Sequence, residues 1–212
     1  MHLYSFFNSS TSYRVRIALA IKGINVDYHG VDLRNGAHRE QRFKAQNPAG
    51  GVPMLIDERG NALGQSLAII DYLEALHPDP PLLPAEPLLR ARVLELANLI
   101  ACDMHPLNNL RVRNYLANEL ALSEEQQQNW IKHWTAEGLA AAETLLQRHG
   151  MGDYCFGDAP TLADCCLVPQ VANAIRTNCS LEPYPRIVAV YQHCQQQPAF
   201  QRAAPKQQPD YR

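Results

Sequence analysis

Five prolines fall between residues 78 and 87, and they divide the chain into two parts of different character. Short apolar runs alternate with helical patterns before them, whereas only helical spacing recurs after them. So dense a run neither continues a helix nor sits inside a sheet, because each proline lacks an N–H and fixes φ. With Leu82 and Leu83 among them, the prolines read as a stiff linker pinned to the surface by its leucines. The expected parts are therefore 1–78, a linker 79–88 and 89–212.

In the first part, residues 3–7 form an apolar run of strand length. Four hydroxyl residues follow (Ser9, Ser10, Thr11 and Ser12), and then Val15, Ala18 and Leu19 recur at helical spacing up to a stop at Gly23. Residues 26–33 alternate as a half-buried strand, so the two strands lie parallel in a βαβ unit. A polar connection over 34–44 has room for a short helix and carries His38. Asn47-Pro48-Ala49-Gly50-Gly51 is a turn, and residues 52–57 form a strand with Pro53 near its start. A hairpin turn leads to a short strand at 62–64. Gln65-Ser66 opens a helix with Leu67, Ile70, Leu73 and Leu76, ended by His77-Pro78. The order is β-α-β then β-β-α.

Residues 88–117 read as one helix bent at Pro106. Ser123 with Gln126 makes a capping box before a helix running to His149. Thr161 with Asp164 makes another before an apolar helix ending near Arg176. Residues 184–197 supply a last helix, and 204–212 read as irregular. The fold class is an α/β domain followed by an all-α bundle.

Strand, polar turn and helix start together gather free backbone N–H groups and the positive end of a helix dipole. A thiolate held there would have a lowered pKa and act as a nucleophile near pH 7, with Ser9, Ser10 and Thr11 as donors. The same hydroxyls also suit a plain N-cap cluster. A net charge of −2 with scattered Lys and Arg gives no case for nucleic acid. No run nears the roughly 20 residues of a membrane span and no signal peptide is evident, so a cytoplasmic protein is expected. The six cysteines lack ligand or C-x-x-C spacing and are expected to be reduced; no metal is expected.

Ser9-Ser10-Thr11-Ser12-Tyr13-Arg14-Val15-Arg16-Ile17-Ala18-Leu19 resembles the signature of the zeta-class glutathione transferases, the maleylacetoacetate and maleylpyruvate isomerases. The likeness continues through Asn47-Pro48 to Val52-Pro53, through residues 65–70, through His105-Pro106-Leu107-Asn108-Asn109 and through residues 159–174. It covers nearly the whole chain. It implies a thioredoxin-like glutathione-binding domain ahead of a helical substrate domain, and a homodimer.

By the same resemblance, Pro53 follows a cis bond and Val52 pairs its backbone with the cysteinyl part of glutathione. Gln65 and Ser66 would take the γ-glutamyl carboxylate, and His38, His105, Asn108 and Asn109 would contact the cofactor. Thr161 and Asp164 match a capping box whose work is to start a core helix.

Two departures stand out. Thr11 occupies a position that is cysteine in many members, which leaves the glutathione sulfur as sole nucleophile. Asn8 stands where many have arginine, so Arg176 and Arg111 are the expected holders of substrate carboxylates. Arg14 and Arg16 read either as a source of positive potential behind the site or as surface charge. The activity implied is glutathione-dependent cis–trans isomerisation of maleylpyruvate or maleylacetoacetate, small dicarboxylic substrates of aromatic catabolism, by reversible thiolate addition to the alkene. Ser9, Ser10, Thr11 and Arg176 are its catalytic candidates. The alternatives are a transferase or dehalogenase of small α-halo acids, and a non-catalytic binding module, against which the intact Ser9–Thr11 and Gln65-Ser66 positions argue.

Overall fold

The computed structural model describes all residues 1–212, which form two compact units, 1–82 with 195–212 and 83–194. The first holds a four-stranded sheet in the order β2-β1-β3-β4. Strand β1 (His2–Ser5) runs parallel to β2 (Asp27–Gly30), joined by α1 (Ser10–Lys22). Strands β3 (Met54–Ile56) and β4 (Ala62–Gly64) are antiparallel additions. Strand β4 has the expected bounds, β1, β2 and β3 are shorter than the expected runs, and residues 34–44 yield a 3-10 turn (Ala37–Arg39) and the start of α2 (Gln41–Gln46). Helix α3 (Ser66–Leu76) packs on α1. Leu3, Val15, Ile17, Ala18, Ile69, Ile70 and Leu73 are buried, while Val31, Phe43 and Met54 form a separate apolar cluster with Tyr4, Leu33 and Val52 against it.

Helix α1 takes its limits from local chemistry. Ser9 has extended backbone and its side chain accepts from Ser12 N–H, while Gly23 closes the helix at φ 65°, a conformation that costs glycine little. At the linker, the Lys22 ammonium, wholly buried, donates to the carbonyls of His77 (2.6 Å) and Pro80 (2.9 Å) and pairs with Glu74 at 2.6 Å. Glu74 also accepts from Leu82 N–H. The linker is thus tied to the end of α1, which its proline content alone does not indicate.

Residues 195–212 depart from the expected division: they group with the first unit and not with the helical one. Helix α9 (Pro198–Ala203) packs on α1, and residues 204–212 are irregular as expected apart from a 3-10 turn (Pro205–Gln207), with their bends hydrogen-bonded. The physical reason is Arg16, whose buried guanidinium donates to Ala203 O at 3.0 Å.

The second unit is helical. Helix α4 (Pro87–Asn98) starts on Glu86, whose carboxylate accepts from Leu88 and Leu89 N–H. The expected single bent helix over 88–117 is instead α4, a π-turn (Leu99–Met104), a 3-10 turn (His105–Asn108) and α5 (Leu110–Asn118). Pro106 contributes no N–H, and Asn109 restarts the ladder by capping α5. Helices α6 (Glu124–His149) and α7 (Leu162–Arg176) begin on the two expected capping boxes. Helix α7 is buried along nearly all its length and packs on α4; α8 (Pro185–Gln196) completes the unit. No helix is long and apolar enough to cross a membrane.

Candidate active site

The hydroxyl cluster lies where β1 hands over to α1. Ser9 Oγ accepts from Ser12 N–H (3.2 Å) and lies 2.8 Å from Thr11 Oγ1, which itself donates to Val52 O at 2.8 Å. Since the Thr11 proton points at Val52, Ser9 is the donor to Thr11, and the protons run Ser9 to Thr11 to Val52. Ser9 and Thr11 are half-buried and open to an approaching group. Ser10, the first residue of α1, is 7% exposed as a whole residue. The Val52–Pro53 bond is cis, and ladder pairing of this strand begins only at Met54.

A second anion position sits at the start of α3. Gln65 occupies the N-cap with φ 65°, a region costly for a residue with Cβ, and its side chain makes no cap bond. The first N–H groups of α3 are therefore left for a ligand. Buried Arg14 donates to Ser66 Oγ at 3.3 Å, tying this helix start to α1. His38 lies nearby in the chain of contacts. Its carbonyl is 3.2 Å from where a Cβ on Gly50 would fall, at the turn that leads into Val52. His38 Nδ1 is buried with no hydrogen-bond partner. Burial, then Arg39 and Lys44, lowers its pKa, so the ring is neutral at pH 7.

One orphaned imidazole nitrogen, uncapped N–H groups at α3 and a hydroxyl relay beside Val52 fit the parts of glutathione: carboxylates at its ends, an extended backbone and a sulfur between. All of these residues belong to the first unit.

The helical unit holds the other expected residues. His105 opens the 3-10 turn after the π-turn. Asn108 points into its own unit, donating to Ile131 O (3.4 Å) and Thr135 Oγ1 (3.2 Å), and Asn109 caps α5 by accepting from Arg111 N–H. These two side chains do structural work that the resemblance does not suggest. Arg111 is exposed, as is Arg176, which is bonded to Asn173 Oδ1 at the end of α7. Partial desolvation of its head group, then the charge of Arg113, lowers the Arg176 pKa. Arg113 escaped the sequence reading; lying two residues from Arg111, it faces another side of α5.

The roles of Arg14 and Arg16 are also settled by burial: neither is surface charge. Arg16 donates to Ser5 Oγ (3.2 Å), Phe6 O (3.3 Å) and Phe7 O (2.9 Å), and desolvation lowers its pKa to about 10. It remains charged and fixes the loop ahead of Ser9.

The chain is similar to known proteins over nearly its whole length. Residues 1–75 match the glutathione S-transferase N-terminal domain and residues 126–193 a glutathione S-transferase C-terminal domain. A maleylacetoacetate isomerase of Pseudomonas aeruginosa is 46% identical over 99% of this chain and 98% of its own. The solved holo structure of a maleylpyruvate isomerase, described as a bacterial zeta-class glutathione transferase, is 46% identical with a TM-score of 0.97, covering 100% of both chains. A maleylacetoacetate isomerase of Methylobacterium extorquens, solved with malonate and glutathione bound, is 38% identical with a TM-score of 0.96, also over 100% of both chains.

Proposed function

Because this chain belongs to the zeta-class glutathione transferases, the class of the maleylacetoacetate and maleylpyruvate isomerases, we propose that it isomerises a maleyl-containing diacid to its fumaryl form. The observation that carries the reading is the Ser9–Thr11–Val52 relay at the N-terminus of α1. Glutathione, when bound, supplies the sulfur that adds to and leaves the alkene, freeing rotation about that bond. What this chain does is prepare the surroundings.

Ser9 turns its proton from Thr11 to the sulfur, and the dipole of α1 favours the negative charge there. Val52 presents its main chain to the cysteinyl part, with Pro53 setting its direction. Gln65 and Ser66 receive one terminal carboxylate at the start of α3, and neutral His38 binds with its unpaired Nδ1. His105 and Asn109 are assigned to the same cofactor, with Asn108 holding their turn against α6. Hydroxyls and N–H groups at the start of α1 also stabilise negative charge as it develops on the substrate. Arg176 is the proposed carboxylate holder of the helical unit; Arg111 shares that role, and Arg113 adds positive potential. Malonate in the Methylobacterium enzyme shows that a relative accepts a small dicarboxylate. By the same family reading the protein is a cytoplasmic homodimer, which sedimentation at twice the 23.8 kDa chain mass would support and a monomer would refute.

Turnover stoichiometry tests the reading. With maleylpyruvate or maleylacetoacetate in large excess over glutathione, the expected result is many turnovers per glutathione and full recovery of the thiol. Glutathione consumed one for one would favour the transferase alternative, which the isomerase relatives do not support.

A further inference from the structure

The loop from Phe6 to Ser9 belongs to no strand or helix, so its peptide groups need other partners. Arg16 supplies the donors, holding the carbonyls of Phe6 and Phe7. The acceptor comes from the far end of the sequence: Phe7 N–H donates to Asp210 Oδ2 at 3.0 Å. The other oxygen of that carboxylate accepts from Tyr28 OH at 2.6 Å. Burial and then this bond push the Tyr28 pKa up, so the phenol keeps its proton. Asp210 also sits close against β2, its Cβ 2.9 Å from where a Cβ on Gly30 would stand, and the Tyr211 ring meets Phe7 edge-on at 5.3 Å. The Phe7 N–H and C=O are thus both held, two residues before Ser9.

We propose that Asp210 is a positioning residue for the thiolate loop: with Arg16 it clamps the Phe7 peptide and so sets where the Ser9 and Thr11 hydroxyls meet the glutathione sulfur. Asp210 touches neither cofactor nor substrate; it acts through the Phe7 main chain. The proposal rests on the functional reading above, since it supposes a sulfur at those hydroxyls.

The test is an ultraviolet titration of the thiolate of glutathione bound to the full chain, with kcat, KM and thermal unfolding measured on the same preparations. Asp210→Ala removes the acceptor. The expected result is an apparent thiol pKa raised by about one unit and kcat lowered about tenfold, with the KM for glutathione changed less than about threefold. Gly30→Ala keeps every titratable group but displaces Asp210, and is expected to reproduce both changes. Tyr28→Phe spares the Phe7 bond and is expected to give a smaller shift in the same direction. Asp210→Asn, which keeps an acceptor for Phe7 N–H, restores most of the rate lost in Asp210→Ala and decides the matter if the alanine variant does not fold.

A lower melting temperature with wild-type thiol pKa and kcat in all the folded variants would overturn the proposal, leaving Asp210 as a staple for residues 204–212. A wild-type protein that lowers no thiol pKa would instead overturn the functional reading itself.

Discussion

Thr11 is the residue on which the proposed chemistry turns, because its hydroxyl links Ser9 to the Val52 carbonyl. Thr11→Val keeps the shape and removes both bonds. Steady-state kinetics should show kcat/KM reduced about tenfold, because Ser9, the donor to the sulfur, loses the partner that orients it while the donor itself stays. Arg176→Lys keeps the charge and loses the planar fork. It should raise the KM for the diacid about tenfold, roughly 1.4 kcal/mol, with kcat little changed. Thr11 and Arg16 are legible in the sequence to different degrees. Thr11 announces itself through four consecutive hydroxyl residues before a helix. Arg16 does not, because its partners are main-chain carbonyls of Phe6, Phe7 and Ala203, the last 187 positions away. Asp210 was invisible for the same reason.

Helix starts were readable because their signals are local. Thr161 with Asp164 and Ser123 with Gln126 form the boxes their spacing indicates. The π-turn over Leu99–Met104 was not, since one extra residue per turn leaves the apolar pattern nearly intact. It is accommodated by Gly138 on α6, where a Cβ would lie 2.4 Å from Met104 Cε, 2.7 Å from Cγ and 3.0 Å from Cβ. Met104 Cε can swing away but its Cβ cannot. Gly138→Ala should therefore lower stability by about 1–3 kcal/mol in denaturant unfolding, despite the better helix propensity of alanine.

The β3–β4 hairpin depends on Asp57, which accepts from Arg59 and Asn61 N–H, the Asn61 amide and Tyr72 OH. The side-chain bonds from Asn61 and Tyr72 do most to hold its pKa below the ordinary carboxylate range. A depressed carboxyl pKa gives stability that is whole above about pH 4 and is lost as pH falls through the folded value. The wild-type advantage over Asp57→Asn in thermal unfolding should be full at pH 6 and shrink by pH 3.

At the scale of the molecule, the proline run marked where sheet gives way to helix, and that much follows from composition and spacing alone. What it could not carry is the return of residues 195–212 to the first unit, a long-range packing decision made by buried Arg16 and by α9 against α1. Nor did it show that Lys22 locks the linker. Lys22→Met should remove the cation paired with the mostly buried Glu74 carboxylate and the donor to the His77 and Pro80 carbonyls, and cost about 3–5 kcal/mol, read as a lowered midpoint in denaturant.

Glutathione is the catalyst with which this fold turns a cis diacid into its trans isomer. The most direct measurement follows the ultraviolet spectrum of maleylpyruvate, then of maleylacetoacetate, with purified protein, with and without glutathione. Rapid conversion to the fumaryl product that requires glutathione and leaves it unconsumed is the expected result. No conversion of either substrate with glutathione present, or an equal rate without it, would rule out glutathione-dependent isomerisation.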